Sequence, residues 1–441
     1  MDAIAQIPLL GPLLTTVIPF LIVLGIVVFV HEYGHYIVGR WCGIHAEVFS
    51  IGFGKELFAW VDRRGTRWRV AALPLGGYVR FLGDSDPASA RPDNPALAAM
   101  SDEDRRRAFP AAPLWKRAAT VAAGPVFNFL LSIVIFAGMA LTLGVGDERP
   151  VIGQTFEVPG HPTALRPGDE VLAVDGRPAT DFSDLLELAS EGERHRLLVR
   201  RDGATIELET GPLLPPAVGG VASGGPADKA GIAPGDVIRA VNGVPASSFA
   251  DLQKAVREAT PPLTLTIERE GRVFDVALEP QLTPTPTADG IEMRPLIGVT
   301  AAPLVAPMTR TPGPLEALAF GATRTWSVID GSLRYVAAII GGEADSSSLG
   351  GPIRIASMSG EAAEAGLPSF LGMIGMISAS IGLINLFPIP ALDGGHLLFY
   401  AIEAVRGRPL SDRLAEAATG IGIALVILLM IFVTYNDLAG M

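Results

Sequence analysis

Four apolar stretches, at roughly 17–39, 118–144, 368–389 and 418–435, set the terms on which this chain folds. Each is close to the twenty or so residues a helix needs to cross a bilayer. Only 18% of the 441 residues are charged and 49% are apolar, against about 25% charged in soluble domains. That composition excludes a disordered polymer. A net charge of −12 excludes a nucleic-acid binder working by global positive charge, so no nucleic acid partner is expected. One cysteine, Cys42, forbids an intrachain disulfide or a cysteine metal cluster. The first stretch lacks the basic start and small-residue cleavage site of a signal peptide and runs directly into His31 and Glu32.

Positive charge orients the spans. No Lys or Arg precedes the first. Arg40, Lys55, Arg63, Arg64, Arg67, Arg69, Arg80, Arg105, Arg106, Arg107, Lys116 and Arg117 lie between the first and second, which places that connection in the cytoplasm. Residues 146–316, with 25 acidic and 15 basic side chains, then fall outside. Arg406, Arg408 and Arg413 return the chain to the cytoplasm before the fourth span. Both termini are expected outside.

The external region repeats itself. Pro167-Gly168-Asp169-Glu170-Val171-Leu172-Ala173-Val174-Asp175-Gly176 aligns with Pro234-Gly235-Asp236-Val237-Ile238-Arg239-Ala240-Val241-Asn242-Gly243 at an offset of 67, which also pairs Phe182 with Phe249 and Leu185 with Leu252. Each copy reads as turn, strand, turn, helix and strand. The pattern resembles the PDZ signature in a tandem pair. PDZ domains bind extended peptides by strand addition; a pair over a membrane mouth also serves as a steric shield, and the residues leave both roles open.

Inside the first span, His31-Glu32-Tyr33-Gly34-His35 reads H-E-x-x-H. Two histidines one turn apart on a helix converge on one ion, and the intervening glutamate reaches a water beside it. An acidic side chain at the centre of a spanning helix costs about 2.5–3.5 kcal/mol on insertion scales, so an intramembrane Glu points to function. A catalytic metal needs a third protein ligand. Candidates are Asp393, with His396 as its rival, in Asn385-Leu386-Phe387-Pro388-Ile389-Pro390-Ala391-Leu392-Asp393-Gly394-Gly395-His396. Backbone broken by prolines and glycines at membrane depth is tolerated where it lines a cavity. His45, His161 and His195 read as surface histidines, and Cys42 as a small buried thiol.

H-E-x-x-H in the first span with N-x-x-P-x-P-x-L-D-G near a later one resembles the site-2 protease family of intramembrane zinc metalloproteases. The tandem repeat makes it similar to the branch of RseP-type (regulator of sigma-E) proteases. A further match is Trp115-Lys116-Arg117 followed by Gly124-Pro125-Val126-Phe127-Asn128. The resemblance implies one Zn2+ held by His31, His35 and Asp393, Glu32 as catalytic base, and Asn385 and, more weakly, Asn128 in contact with substrate. It implies cleavage of single-pass membrane proteins already trimmed outside, such as an anti-sigma factor or a remnant signal peptide. The location implied is a bacterial inner membrane with the repeats in the periplasm.

The expected architecture is an α-helical multi-pass membrane protein of four spans with two inserted α/β PDZ-like domains and a membrane-associated β-hairpin. Its segments are a first span over 1–40, a cytoplasmic loop over 41–114 with the hairpin at 69–81 turning at Pro74 and Gly76-Gly77, and a second span over 115–145. PDZ domains follow over 146–214 and 215–283, then a linker and amphipathic surface helix over 284–345. The third transmembrane segment occupies 346–400 and the fourth 401–441. The alternative is a non-enzymatic PDZ membrane scaffold, which binds no metal and is indifferent to Glu32→Gln.

Overall fold

The computed structural model describes residues 11, 13–84, 97, 99–190, 192–222, 224–287, 290–342 and 350–440. Expectations for 1–10, 85–96 and 343–349 therefore lie outside the described residues. The chain divides into a unit of Met1–Ala140, Gly313–Arg334 and Leu349–Ala439, and a unit of Leu141–Pro312, Tyr335–Ser348 and Gly440–Met441.

Among the described residues, four helices are long and apolar enough to cross a membrane: Leu14–Trp41, Leu114–Leu143, Leu367–Leu386 and Arg413–Leu438. Lipid offers helices no hydrophobic drive to associate, so close packing through small residues must do it. A β-carbon on Gly34 would lie 2.5 Å from the Ala123 carbonyl, joining the first and second spans. Gly375 and Gly382 let the third span approach the second, where a β-carbon would meet Phe136 and the Pro125 carbonyl at 3.1 Å each. Val23, Val27 and Ile374 fill the space between. The fourth span buries least of the four. Its Asp437 accepts hydrogen bonds from the amides of Gly351, Ile353 and Arg354, capping the helix Pro352–Glu364.

Between the first two spans, the strand Ala46–Val61 pairs with Arg67–Phe81. One turn falls at Asp62–Thr66, whose amides bond Asp62. A second reversal falls between 70 and 77, across the expected Pro74 and Gly76-Gly77, but the two arms flank 48–51 and do not pair with each other. Residues 67–70 lie alongside both 58–61 and 48–51, and 77–81 pair with 46–51, so a bent hairpin makes a sheet four rows wide with 77–81 at its edge. Tyr36 in the first span donates to Asp62, and Phe49 stacks on Trp68 at 4.3 Å, tying the sheet to the helix that carries the H-E-x-x-H residues.

The helix Pro314–Gly341 is amphipathic, yet its placement differs from a surface-lying one. A β-carbon on Gly321 would lie 2.4 Å from the Ile133 carbonyl, and Thr325 Oγ1 is 2.9 Å from Ser132 Oγ. Its early part thus packs along the second span through small residues and a satisfied hydroxyl pair.

In the second unit the repeat is structural as well as sequential. Arg177–Pro178, Glu170–Val174, His195–Arg201 and Ala204–Thr210 form a four-stranded sheet, with a helix at Phe182–Leu188. Val244–Pro245, Val237–Val241, Leu263–Arg269 and Arg272–Leu278 form another in the same order, with a helix at Phe249–Glu258 opened by a Ser248/Asp251 capping box. Buried Asp169 pairs with Arg201, and buried Asp236 with Arg269. His195, expected on the surface, is buried with Nδ1 2.9 Å from Asp175.

Residues expected as linker complete both repeats. Gln281–Thr287 and Gly290–Leu296 form a hairpin, Val299–Ala301 pairs with Val218–Val221, and Val305–Pro307 pairs with Ile152–Thr155. The second repeat is thereby nested within the first. Thr283-Pro284-Thr285-Pro286 reads as loop, but proline is tolerated in an edge strand, where its missing amide leaves no gap in a ladder.

Candidate metal centre

His31 and His35 sit one turn apart near the end of the first span, their rings edge to face with centroids 4.8 Å apart. Each ring is steered by its second nitrogen. Nδ1 of His35 lies 2.9 Å from the Thr120 carbonyl, to which it donates, leaving the Nε2 lone pair free. Nδ1 of His31 lies 3.3 Å from the side-chain amide of fully buried Asn128. The two ends of an amide are set by their hydrogen bonds; with its oxygen toward the ring, Asn128 accepts the Nδ1 proton and frees Nε2 of His31 as well.

Asp393 opens the helix Asp393–Arg406 after the tight turns of 387–392. Both following glycines are required by close approach. A β-carbon on Gly394 would stand 2.3 Å from the Leu386 and Phe387 carbonyls, and one on Gly395 2.3 Å from the Ile389 carbonyl. The turn so compacted points the Asp393 carboxylate at the imidazoles. Oδ2 lies 3.1 Å from Nε2 of His31 and 3.5 Å from Nε2 of His35, and the two nitrogens are 3.2 Å apart.

A tetrahedral ion with bonds of about 2.0–2.1 Å spaces its ligands about 3.3–3.4 Å apart. These three atoms match that spacing and could hold one metal ion. Asp393 Oδ2 is also buried without a hydrogen-bond donor, a costly condition unless another group satisfies it. Of the two rivals for third ligand, Asp393 joins the imidazoles. His396 lines the adjoining cavity and meets Phe399 edge to face.

That cavity, of about 180 Å³, is bordered by His31, Glu32, His35, Asp393 and Asn385. Glu32 thus faces the same space as the three candidate ligands. Gly77, on the edge row of the sheet, approaches so near that a β-carbon would meet Glu32 Cγ at 3.0 Å. Asn128, expected to touch substrate, is instead wholly buried behind His31. Sequence reasoning missed Thr120 and Gly124. A β-carbon on Gly124 would stand 2.3 Å from Nε2 of His35, so this glycine makes room for the rings. The only local signal is its place in Gly124-Pro125-Val126-Phe127-Asn128.

Spanning helices around a candidate metal-ligand triad are the arrangement a membrane metallopeptidase requires. Residues 19–429 match the family described as peptidase family M50. The chain is 39% identical over 433 residues to a candidate zinc metalloprotease of Rhizobium meliloti, covering 98% of each chain. It is 38% identical over 429 residues to a protein similarly described in Brucella suis, covering 97% of this chain and 96% of that one. It is 35% identical over 454 residues to the regulator of sigma-E protease of Salmonella typhimurium, covering 95% of this chain and 97% of the other. The chain belongs to peptidase family M50, the site-2 proteases. It is a metalloprotease of the membrane and its metal is zinc. Family membership sets aside the non-enzymatic scaffold.

Proposed function

We propose that this protein is an intramembrane endopeptidase in which His31, His35 and Asp393 hold zinc and Glu32 is the general base. The observation that carries the reading is the convergence of three ligand atoms, one an orphaned buried carboxylate oxygen, beside a glutamate in the same cavity. When bound, zinc supplies Lewis acidity that polarises the scissile carbonyl and acidifies water. Glu32 takes the proton from the attacking water and delivers it to the leaving amine. Thr120 and Asn128 hold the two imidazoles in the tautomer that leaves Nε2 free to ligate.

The substrate class is the transmembrane segment of a single-pass protein already trimmed outside, as with an anti-sigma factor or a remnant signal peptide. A helix hides its carbonyls in its own hydrogen bonds, so cleavage requires local unwinding. The 77–81 edge beside Glu32 offers strand addition to the unwound segment, and Asn385 offers a side-chain amide. The distribution of Lys and Arg supports an inner-membrane topology with the repeats, read as PDZ domains, in the periplasm. There they read a peptide end or exclude untrimmed substrates.

The test is metal analysis of purified protein with cleavage of a reconstituted transmembrane substrate by wild type and Glu32→Gln. Zinc in both proteins with cleavage lost in the variant is expected. Active zinc-free protein, or a fully active variant, overturns the reading.

A further inference from the structure

Two candidate ligands come from the first span, but the third comes from the far end of the chain. It is delivered by a segment with Pro388 and Pro390, whose described backbone bonds are local turns such as Ile389 N–H to the Phe387 carbonyl. The close approach of Gly394 and Gly395 to the 386–389 carbonyls seats the start of the helix. Contacts further along Asp393–Arg406 then hold that register.

Those contacts lie on one stripe. Asp393, Leu397, Tyr400 and Glu403 recur at helical spacing on one face. Leu397 and Tyr400 pack on the cluster containing Tyr36, Phe81 and Phe109. Beyond them, Nη2 of Arg117 lies 2.6 Å from Oε1 of Glu403, the two side chains 17% and 18% exposed. Arg117 also donates from Nε to the Ala112 carbonyl at 3.2 Å, and its guanidinium sits 5.0 Å over the Tyr400 ring. Held at three points, it is a fixed post and not a mobile surface partner.

Arg117 belongs to a second stripe. Along the second span, Arg117, Thr120, Gly124 and Asn128 recur at helical spacing. Thr120 steers His35, Gly124 makes room for both rings and Asn128 steers His31. We infer that Arg117 is a positioning residue for the metal centre, gripping Glu403 and Tyr400 so that Asp393 is registered against the helix face that orients both histidines. One face of the second span then aligns all three ligands. The inference rests on the ligand set proposed above.

The test measures zinc affinity of the full-length protein by chelator competition, together with the visible spectrum of the cobalt-substituted form, for Arg117→Ala, Arg117→Lys, Glu403→Gln, the reversal Arg117→Glu with Glu403→Arg, and Asp393→Asn. Losing an orienting partner typically weakens metal binding by about 10–100-fold. That loss is expected in Arg117→Ala and Glu403→Gln, with a changed cobalt spectrum, an unshifted melting temperature of the metal-free protein, and recovery of most of the affinity in Arg117→Lys and the reversal. Wild-type affinity and spectrum in the single variants overturn the inference. So do an affinity loss that merely tracks a lowered melting temperature, and a reversal that restores nothing. If Arg117→Ala does not fold, Glu403→Gln and Arg117→Lys decide by the same criteria. Zinc lost from Asp393→Asn but kept by the Arg117 and Glu403 variants rejects the positioning role alone; zinc kept by Asp393→Asn rejects the ligand set.

Discussion

Gly124 and His35 are in such close register that a β-carbon on the glycine would fall 2.3 Å from the Nε2 that faces Asp393. The obstructing atom belongs to a candidate ligand in a crowded helix interface, so the ring would have to leave its place. Gly124→Ala is expected to fold and to lose zinc affinity on the order of tenfold or more, as for disturbed ligand orientation. Gly138, with nothing within 4 Å, supplies the control. Gly138→Ala should keep wild-type zinc content by elemental analysis.

Asn128→Ala removes the partner of His31 Nδ1 at a fully buried position. A buried donor left unpaired costs about 1–3 kcal/mol. Zinc retention under chelator challenge should fall, while Asn128→Asp, which keeps an acceptor, should retain more. Equal retention in both variants would show that the ring is oriented by packing alone.

The second repeat should carry an acid-sensitive lock. Burial opposes the charge on Asp236, but hydrogen bonds from Arg269 and the Ala233 amide outweigh it and hold the carboxyl below its ordinary value of 3.8. A depressed folded-state pKa adds stability above the unfolded value, and that stability is lost as pH falls through the folded one. Asp236→Asn should therefore destabilise strands 237–241 and 263–269 near neutrality, with the difference from wild type shrinking as pH falls below the ordinary carboxyl value and through the lowered folded-state one. Hydrogen exchange of those strands across the range measures it. Arg269 is 40% exposed, which keeps its part of the effect modest.

Asp437 caps the helix Pro352–Glu364 from the end of the fourth span. Losing such a cap costs about 0.5–2 kcal/mol. Asp437→Ala should raise hydrogen exchange across 352–364 while leaving zinc content unchanged.

Much of the centre is legible in the linear order of residues because it is local. His31 and His35 share a helix face by spacing alone, and Glu32 falls between them. The glycines after Asp393 mark a close approach before any partner is known. The spans announce themselves because lipid demands long apolar helices. Harder to see are the roles of Thr120, Gly124 and Asn128. A backbone carbonyl, a missing β-carbon and a buried amide acquire meaning only when another helix arrives beside them. The strand 46–51 that separates the two arms of the expected hairpin was hidden because its pairing is long-range, and the strands at 281–296 were hidden by their prolines.

By itself the amino-acid order determined the four apolar helices, the placement of H-E-x-x-H within one of them, the pairing of that motif with a broken Asp393 segment, and the internal repeat. Each is written in spacing or composition within a few turns of backbone. Tertiary structure alone decided that Asp393 and not His396 meets the imidazoles, that Asn128 lies buried against His31, and that the second repeat nests within the first. Helical periodicity defines which face a residue occupies. Which faces meet depends on how closely distant segments can approach, and that is set by steric fit across the whole packed unit.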